Sequence, residues 1–258
     1  MEGNHSRTSL SLVLLLGCSI CTFTPLFSAP IDCPEQTELL DKLKELQALS
    51  RRQEIKDLGQ PYLDKCGVNL VDETSARLLF IYAQSLQGLS EYEDARSRYQ
   101  QALGVLQQID SAQTVLYGMT LSEIADIDRI AGNLDVAEKG FRNAIAVLAQ
   151  SSPNGPELVN ALSKLGLLFR QLSRYAEAEN FYKRAIDLAR KNQLEQKLIS
   201  SLSNYAIMLD DQGRYLEAES IHRDALGFYE DRYDSSVSIE RSATVQNNLG
   251  LNLSDQGK

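Results

Sequence analysis

Residues 174–186 read RYAEAENFYKRAI, and residues 214–226 read RYLEAESIHRDAL. Laid over each other, they keep a tyrosine, an alanine, a ring and a second alanine at fixed separations. Two more copies lie upstream, EYEDARSRYQQAL at 91–103 and NLDVAEKGFRNAI at 133–145. The first alanines are Ala95, Ala137, Ala178 and Ala218, and the second are Ala102, Ala144, Ala185 and Ala225. The copies are therefore spaced by 42, 41 and 40 residues. Three residues before the first alanine stands Tyr92, Leu134, Tyr175 or Tyr215, and four after it Tyr99, Phe141, Tyr182 or His222. Separations of three, four and seven share one face of an α-helix. Alanine on that face lets a second helix approach closely, and the rings fill the wider gaps.

The second helix lies upstream in each copy. Twelve residues before each first alanine is a small residue, Ala83, Ala125, Gly166 or Ala206, and Gly250 gives a fifth instance. Around it run apolar periodicities such as Leu162, Leu165, Leu168 and Phe169. Between the two helices come short breaks, Gln87-Gly88, Ala131-Gly132, Leu172-Ser173 and Gln212-Gly213. Glycine in such a break supplies the left-handed conformation that ends a helix. Each unit is expected to be a helix–turn–helix hairpin, in four full copies and a final unpaired helix.

These small and aromatic positions resemble the tetratricopeptide repeat. The period of about forty-one, and segments such as AEAENFYKRAI, are similar to the longer repeats of kinesin light chains and many bacterial proteins. The resemblance covers roughly residues 73–258. It implies an all-α, right-handed α-solenoid that binds proteins. Asp128 departs from it, standing where an apolar residue is due, and His222 replaces an aromatic ring. Residues 29–72, with Leu39, Leu40, Leu43 and Leu46 on one helical face, read as an N-terminal cap or degenerate repeat. Gly59 is expected to end that helix and Gln60-Pro61 to break the chain.

Residues 1–28 have the layout of a secretory signal peptide: a polar start ending at Arg7, an apolar run from Leu10 to Phe23, and small residues at Ser28 and Ala29. Cleavage is expected after Ser28, giving an exported, periplasmic or secreted protein. The alternatives are a membrane anchor through residues 8–28, or a lipid on Cys18. Cys33 and Cys66 would remain, and an exported compartment permits either a disulfide between them or two separate thiols.

The net charge of −9 argues against binding nucleic acid, which needs a basic stripe to neutralise phosphates. With two histidines and no tryptophan, and without a nucleophile, metal-ligand or phosphate-loop motif, the sequence points to no catalytic residue, metal, cofactor or small-molecule substrate. What remains is recognition of a protein or peptide in the groove lined by the first helices. Counting from each small residue places Ile81, Glu123, Lys164, Asn204 and Asn248 on that wall, then Gln84, then Arg129 and Arg170.

In kinesin-light-chain-like repeats, asparagines at the place of Asn204 and Asn248 bond a bound peptide's backbone, and Asn247 stands beside them. The other reading is an asparagine tolerated at an exposed helix position. Lys164, Arg129 and Arg170 form either a docking patch for a carboxylate or, the stronger reading, charges balanced by Glu123 and Asp126. Two other roles compete with peptide binding: an assembly subunit that self-associates through its ends, and the regulatory front part of a longer enzyme.

Overall fold

The computed structural model describes residues 36–66, 72–230 and 235–257. The segment 1–28, Cys33 and the side chain of Cys66 lie outside the described residues, and with them the signal peptide and the disulfide. Among the described residues there are eleven helices and no strand: α1 (Gln36–Ala48), α2 (Arg52–Cys66), α3 (Glu73–Gly88), α4 (Tyr92–Gln108), α5 (Val115–Ile130), α6 (Leu134–Ser151), α7 (Pro156–Gln171), α8 (Tyr175–Lys191), α9 (Glu195–Asp211), α10 (Tyr215–Glu230) and α11 (Ser235–Asp255). They pair into hairpins that stack as an α-solenoid.

One local device makes every hairpin. Ser50, Ser90, Gly132, Ser173 and Gly213 have φ of 56°, 65°, 82°, 57° and 71°. The next N–H reaches back five residues: Arg51 to Leu46 O at 2.9 Å, Glu91 to Leu86 O at 2.9 Å, Asn133 to Asp128 O at 2.8 Å, Arg174 to Phe169 O at 2.8 Å and Arg214 to Leu209 O at 2.9 Å. This closure satisfies carbonyls that a helix end leaves bare. In the second hairpin the left-handed residue is Ser90 rather than the expected Gly88. Gly88 is the last helical residue, and a Cβ there would meet Arg52 Nε at 2.4 Å.

The same turn at Ser50 corrects the expectation for the N-terminal segment. The first helix ends at Ala48, and α2 runs unbroken through Gly59 and Pro61. Counting from Ser50, this hairpin is built like the others with its sizes inverted. Leu43, Ile55 and Tyr62 stand where the other units have small residues, and Gly59 stands where they have a ring. Gly59 is not a stop. It faces Tyr82 of α3, whose ring would lie 2.6 Å from a Cβ, and Tyr82 Oη donates to Gln60 Oε1 at 2.5 Å.

The recurring alanines Ala95, Ala102, Ala137, Ala144, Ala178, Ala185, Ala218 and Ala225 are all 0% exposed, as are Tyr99, Phe141, Tyr182 and His222. A Cβ on Gly166 would come within 2.9 Å of the Tyr182 ring, so the hairpin closes on hydrogen there. Gly250 differs from its four counterparts. It is exposed with nothing within 4 Å of a Cβ, because no helix among the described residues packs over it.

The core falls into two clusters. One runs from α1 to Leu116 and Ile127 of α5. The other starts at Ala125 of α5 and extends to Val245 of α11. Met119 packs against both. Ion pairs join successive hairpins on the outer side: Lys56–Glu91 at 2.6 Å, Arg96–Asp128, Glu138–Arg174 at 2.7 Å and Glu179–Arg214 at 3.0 Å.

Candidate functional site: the inner wall of the solenoid

The curvature follows from which helices meet. First helices touch along the row, α1 with α3, α5 with α7, α7 with α9 and α9 with α11, while the second helices stay apart from one another. The first helices therefore line the tighter, inner side. Their periodicity is what turns Ile81, Glu123, Lys164, Asn204 and Asn248 onto one wall.

The middle of the wall is a closed charge network. Lys164 Nζ lies 2.7 Å from Glu123 Oε2 and 3.2 Å from Asp126 Oδ2. Arg129 lies 2.8 Å from Asp126, and its guanidinium also donates to Gln171 Oε1 at 3.3 Å. The side chains of Glu123, Asp126, Arg129 and Lys164 keep only 12%, 13%, 17% and 17% of their surface in water. Burial alone would push the Lys164 ammonium down, but the attraction of Glu123 and Asp126 outweighs it and holds the group above its ordinary value. Arg170 is taken by Asp211 at 2.5 Å, across from α7 to α9. The three cations are thus neutralised in place, which leaves no open basic patch at the centre.

The C-terminal end of the wall is different. Asn204 and Asn248 are half-buried and Asn247 exposed, and none has a side-chain hydrogen bond to a described residue. An amide donates and accepts at once, so each can complete a peptide group of a ligand. Gln84, at the N-terminal end, accepts from Gln47 Nε2 of α1 at 2.5 Å.

Three hollows of about 430, 350 and 170 Å³ open at this N-terminal end, and Gln84 lines all of them. Gln47, Phe80, Met119 and Glu157 also face these hollows and were not foreseen from sequence. Gln47 escaped because the inverted sizes of the first hairpin hid its repeat frame. Among the described residues no group of three metal-ligating side chains occurs, and no helix is long and apolar enough to cross a membrane. His222 fills the ring position of its hairpin with Nε2 3.2 Å from Asp210 Oδ2, a contact made also by Tyr99 to Gln87 twelve residues back in the second hairpin.

Comparison with known proteins agrees with this architecture. Family models of the tetratricopeptide repeat match residues 116–191 and 198–233. No curated protein sequence matches the chain. Among solved structures, BtubC (BKLC) from P. vanneervenii is similar with a TM-score of 0.62 at 17% identity, over 83% of this chain and 84% of that one. Nearly identical TPR-like repeats of a kinesin-light-chain candidate from Podosopora anserina give 0.58 at 14% identity, over 75% and 94%. PlcR from Bacillus thuringiensis, solved with the peptide PapR7 and DNA, gives 0.63 at 18% identity, over 85% and 75%. At these identities the likeness is one of fold. With its hairpins, their small-residue seams and the matching repeat models, the chain carries tetratricopeptide repeats at 116–191 and 198–233 within an α-solenoid of that type, a fold that serves as a scaffold for protein–protein interaction.

Proposed function

We propose that this protein is a non-catalytic scaffold that holds an extended peptide or a partner helix in the groove formed by α3, α5, α7, α9 and α11. The observation that carries the reading is the pair Asn204 and Asn248, unpartnered amides one repeat apart on the inner wall. Water reaches both amides, and a ligand backbone that takes its place gains the modest net energy of an intramolecular hydrogen bond, about 1 kcal/mol each. The neutral centre lets a ligand pass without a charge requirement at Lys164 and Arg170. PlcR, solved with a peptide, lends the reading support by analogy of fold. Export through residues 1–28 belongs to the same proposal, with the partner met outside the cytosol.

The test starts from peptides selected on the immobilised full chain from a random display library. Asn204→Ala with Asn248→Ala should weaken the selected peptides about tenfold or more, consistent with two lost hydrogen bonds at about 1 kcal/mol each. Far-ultraviolet dichroism should stay unchanged. Selected peptides that bind the double variant as tightly as the parent would remove the groove model.

A further inference from the structure

The row of first helices closes up everywhere but at one joint. Neighbouring first helices pack closely at α1–α3, α5–α7, α7–α9 and α9–α11, whereas α3 and α5 approach each other less closely. The division of the hydrophobic core falls at the same place, with α5 shared between the clusters and Met119 in contact with both. A departure from the repeat pattern lies on the same helix. Where other hairpins carry Leu86, Phe169 or Leu209, α5 carries Asp128, which is buried and turned to Arg96 of α4. The α5 face is polar elsewhere too: the Thr120 hydroxyl bonds back to Leu116 O at 2.7 Å, and the Ser122 hydroxyl is buried without a partner. Polar residues of α5 thus stand beside the joint at which the wall is cleft.

This cleft has a definite chemistry. Its largest hollow, about 430 Å³, has an apolar floor of Phe80, Ile81, Leu116 and Met119. One lip carries cations, Lys44 and Arg77 from α1 and α3, and the other carries Glu157 from α7. Lys44 and Arg77 are paired only within their own helices, to Asp41 and Glu73, with about half of each side chain in water. Exposed pairs of this kind hold their partners weakly, so both cations are available to a ligand. The amides of Gln47 and Gln84 between the lips offer donors and acceptors to a peptide backbone.

We propose that the cleft between α3 and α5 is the anchor point of the groove. It takes one leucine-, methionine- or phenylalanine-sized side chain of an extended segment, with an acidic neighbour toward Lys44 and Arg77 and a basic neighbour toward Glu157. This rests on the groove reading and adds the place and kind of the strongest contact. An apolar side chain leaves water in a half-enclosed hollow, and the opposed lips fix the direction in which the segment lies.

The chain carries its own reporters. Its methionines are Met1, Met119 and Met208, with Met119 half-buried beside the cleft and Met208 0% exposed in the core. With methyl-labelled methionine in the full chain, the probes are the blocked peptides acetyl-Gly-Glu-Leu-Lys-Gly-amide and acetyl-Gly-Lys-Leu-Glu-Gly-amide. One of the two orders should shift the Met119 methyl signal saturably and leave Met208 in place. Alanine for leucine in that peptide should weaken it at least tenfold. Glu157→Lys should weaken it further, and an otherwise identical peptide with glutamate in place of the lysine should recover the loss. The inference is overturned if the alanine peptide moves Met119 as readily as the leucine peptide, or if no probe moves it. In the second case the side-chain amide signals of Asn204 and Asn248 separate the causes. Their response to peptides selected from the library leaves the groove standing without this anchor, and their silence removes both.

Discussion

The Arg96–Asp128 pair offers the sharpest test of how the second and third hairpins are joined. Asp128 keeps 4% of its side chain in water and Arg96 30%, so the carboxylate depends on its partner far more than the guanidinium does. Stranding a charge by removing one member of a fully buried pair costs about 3–5 kcal/mol. Arg96 is nearly one-third exposed, so water can enter where it stood, and Arg96→Met should cost less, about 2–3 kcal/mol. Asp128→Leu should cost under about 1 kcal/mol, since the freed arginine can turn to solvent and leucine restores the apolar residue of Leu86 and Leu209. Arg96→Met with Asp128→Leu should be neutral or more stable than the parent by about 1 kcal/mol, because a well-packed apolar pair often replaces a buried ion pair without loss. Urea unfolding of the four proteins closes the cycle, with a coupling of about 2–5 kcal/mol. An Arg96→Met change within about 0.5 kcal/mol of the parent would refute the reasoning, as would a double variant no more stable than Arg96→Met alone.

Ser90 and Ser173 hold φ of 65° and 57°, where glycine is at ease and a side chain is not. Ser90→Gly and Ser173→Gly should each raise stability by about 0.5–1 kcal/mol, seen as a higher melting temperature, and a fall for both would contradict the turn geometry. Glu179 contributes to the acid limb of stability. Burial raises its carboxyl, but hydrogen bonds from Lys183, Arg214 and Tyr205 outweigh that and bring it from 4.5 to about 2. A carboxylate depressed in the folded state stabilises above its unfolded value and loses that contribution as pH falls from about 4.5 toward 2. Glu179→Gln should therefore lower the urea midpoint above pH 5 and converge on the parent near pH 2, whereas a constant offset across that window would exclude the assignment.

The repeats were legible because alanine at fixed separations has one economical explanation, a helix crossing, and each of those alanines is sealed from water. The first hairpin was not legible, because its frame is written in the opposite sizes. Leu43 and Ile55 stand for small residues, Gly59 for a ring, and a serine makes the turn where Gly59 and Pro61 looked like the stop. Counting along the first helices placed Asn204, Asn248, Lys164 and Gln84 on the inner wall. It could not say which charges there were spent, since Lys164 meets Glu123 from a neighbouring hairpin forty-one residues away. Asp128 was visible as a departure, but its partner Arg96 sits on a different element. The cleft was out of reach for a plainer reason: it depends on what α3 and α5 fail to do.

The outer ion pairs change polarity partway along. At the first two joints the cation belongs to the earlier hairpin, Lys56 and Arg96, and the anion to the later one, Glu91 and Asp128. At the next two the order is reversed, with Glu138 and Glu179 meeting Arg174 and Arg214. Excising α7 and α8 would bring Glu138 opposite Arg214 and keep opposite signs together. Excising α5 and α6 would bring Arg96 toward Arg174 and set cation against cation. Unequal crossing-over can thus lengthen or shorten the array beyond the reversal, while a unit carried across it arrives mismatched, which fixes the order of the hairpins as a historical record.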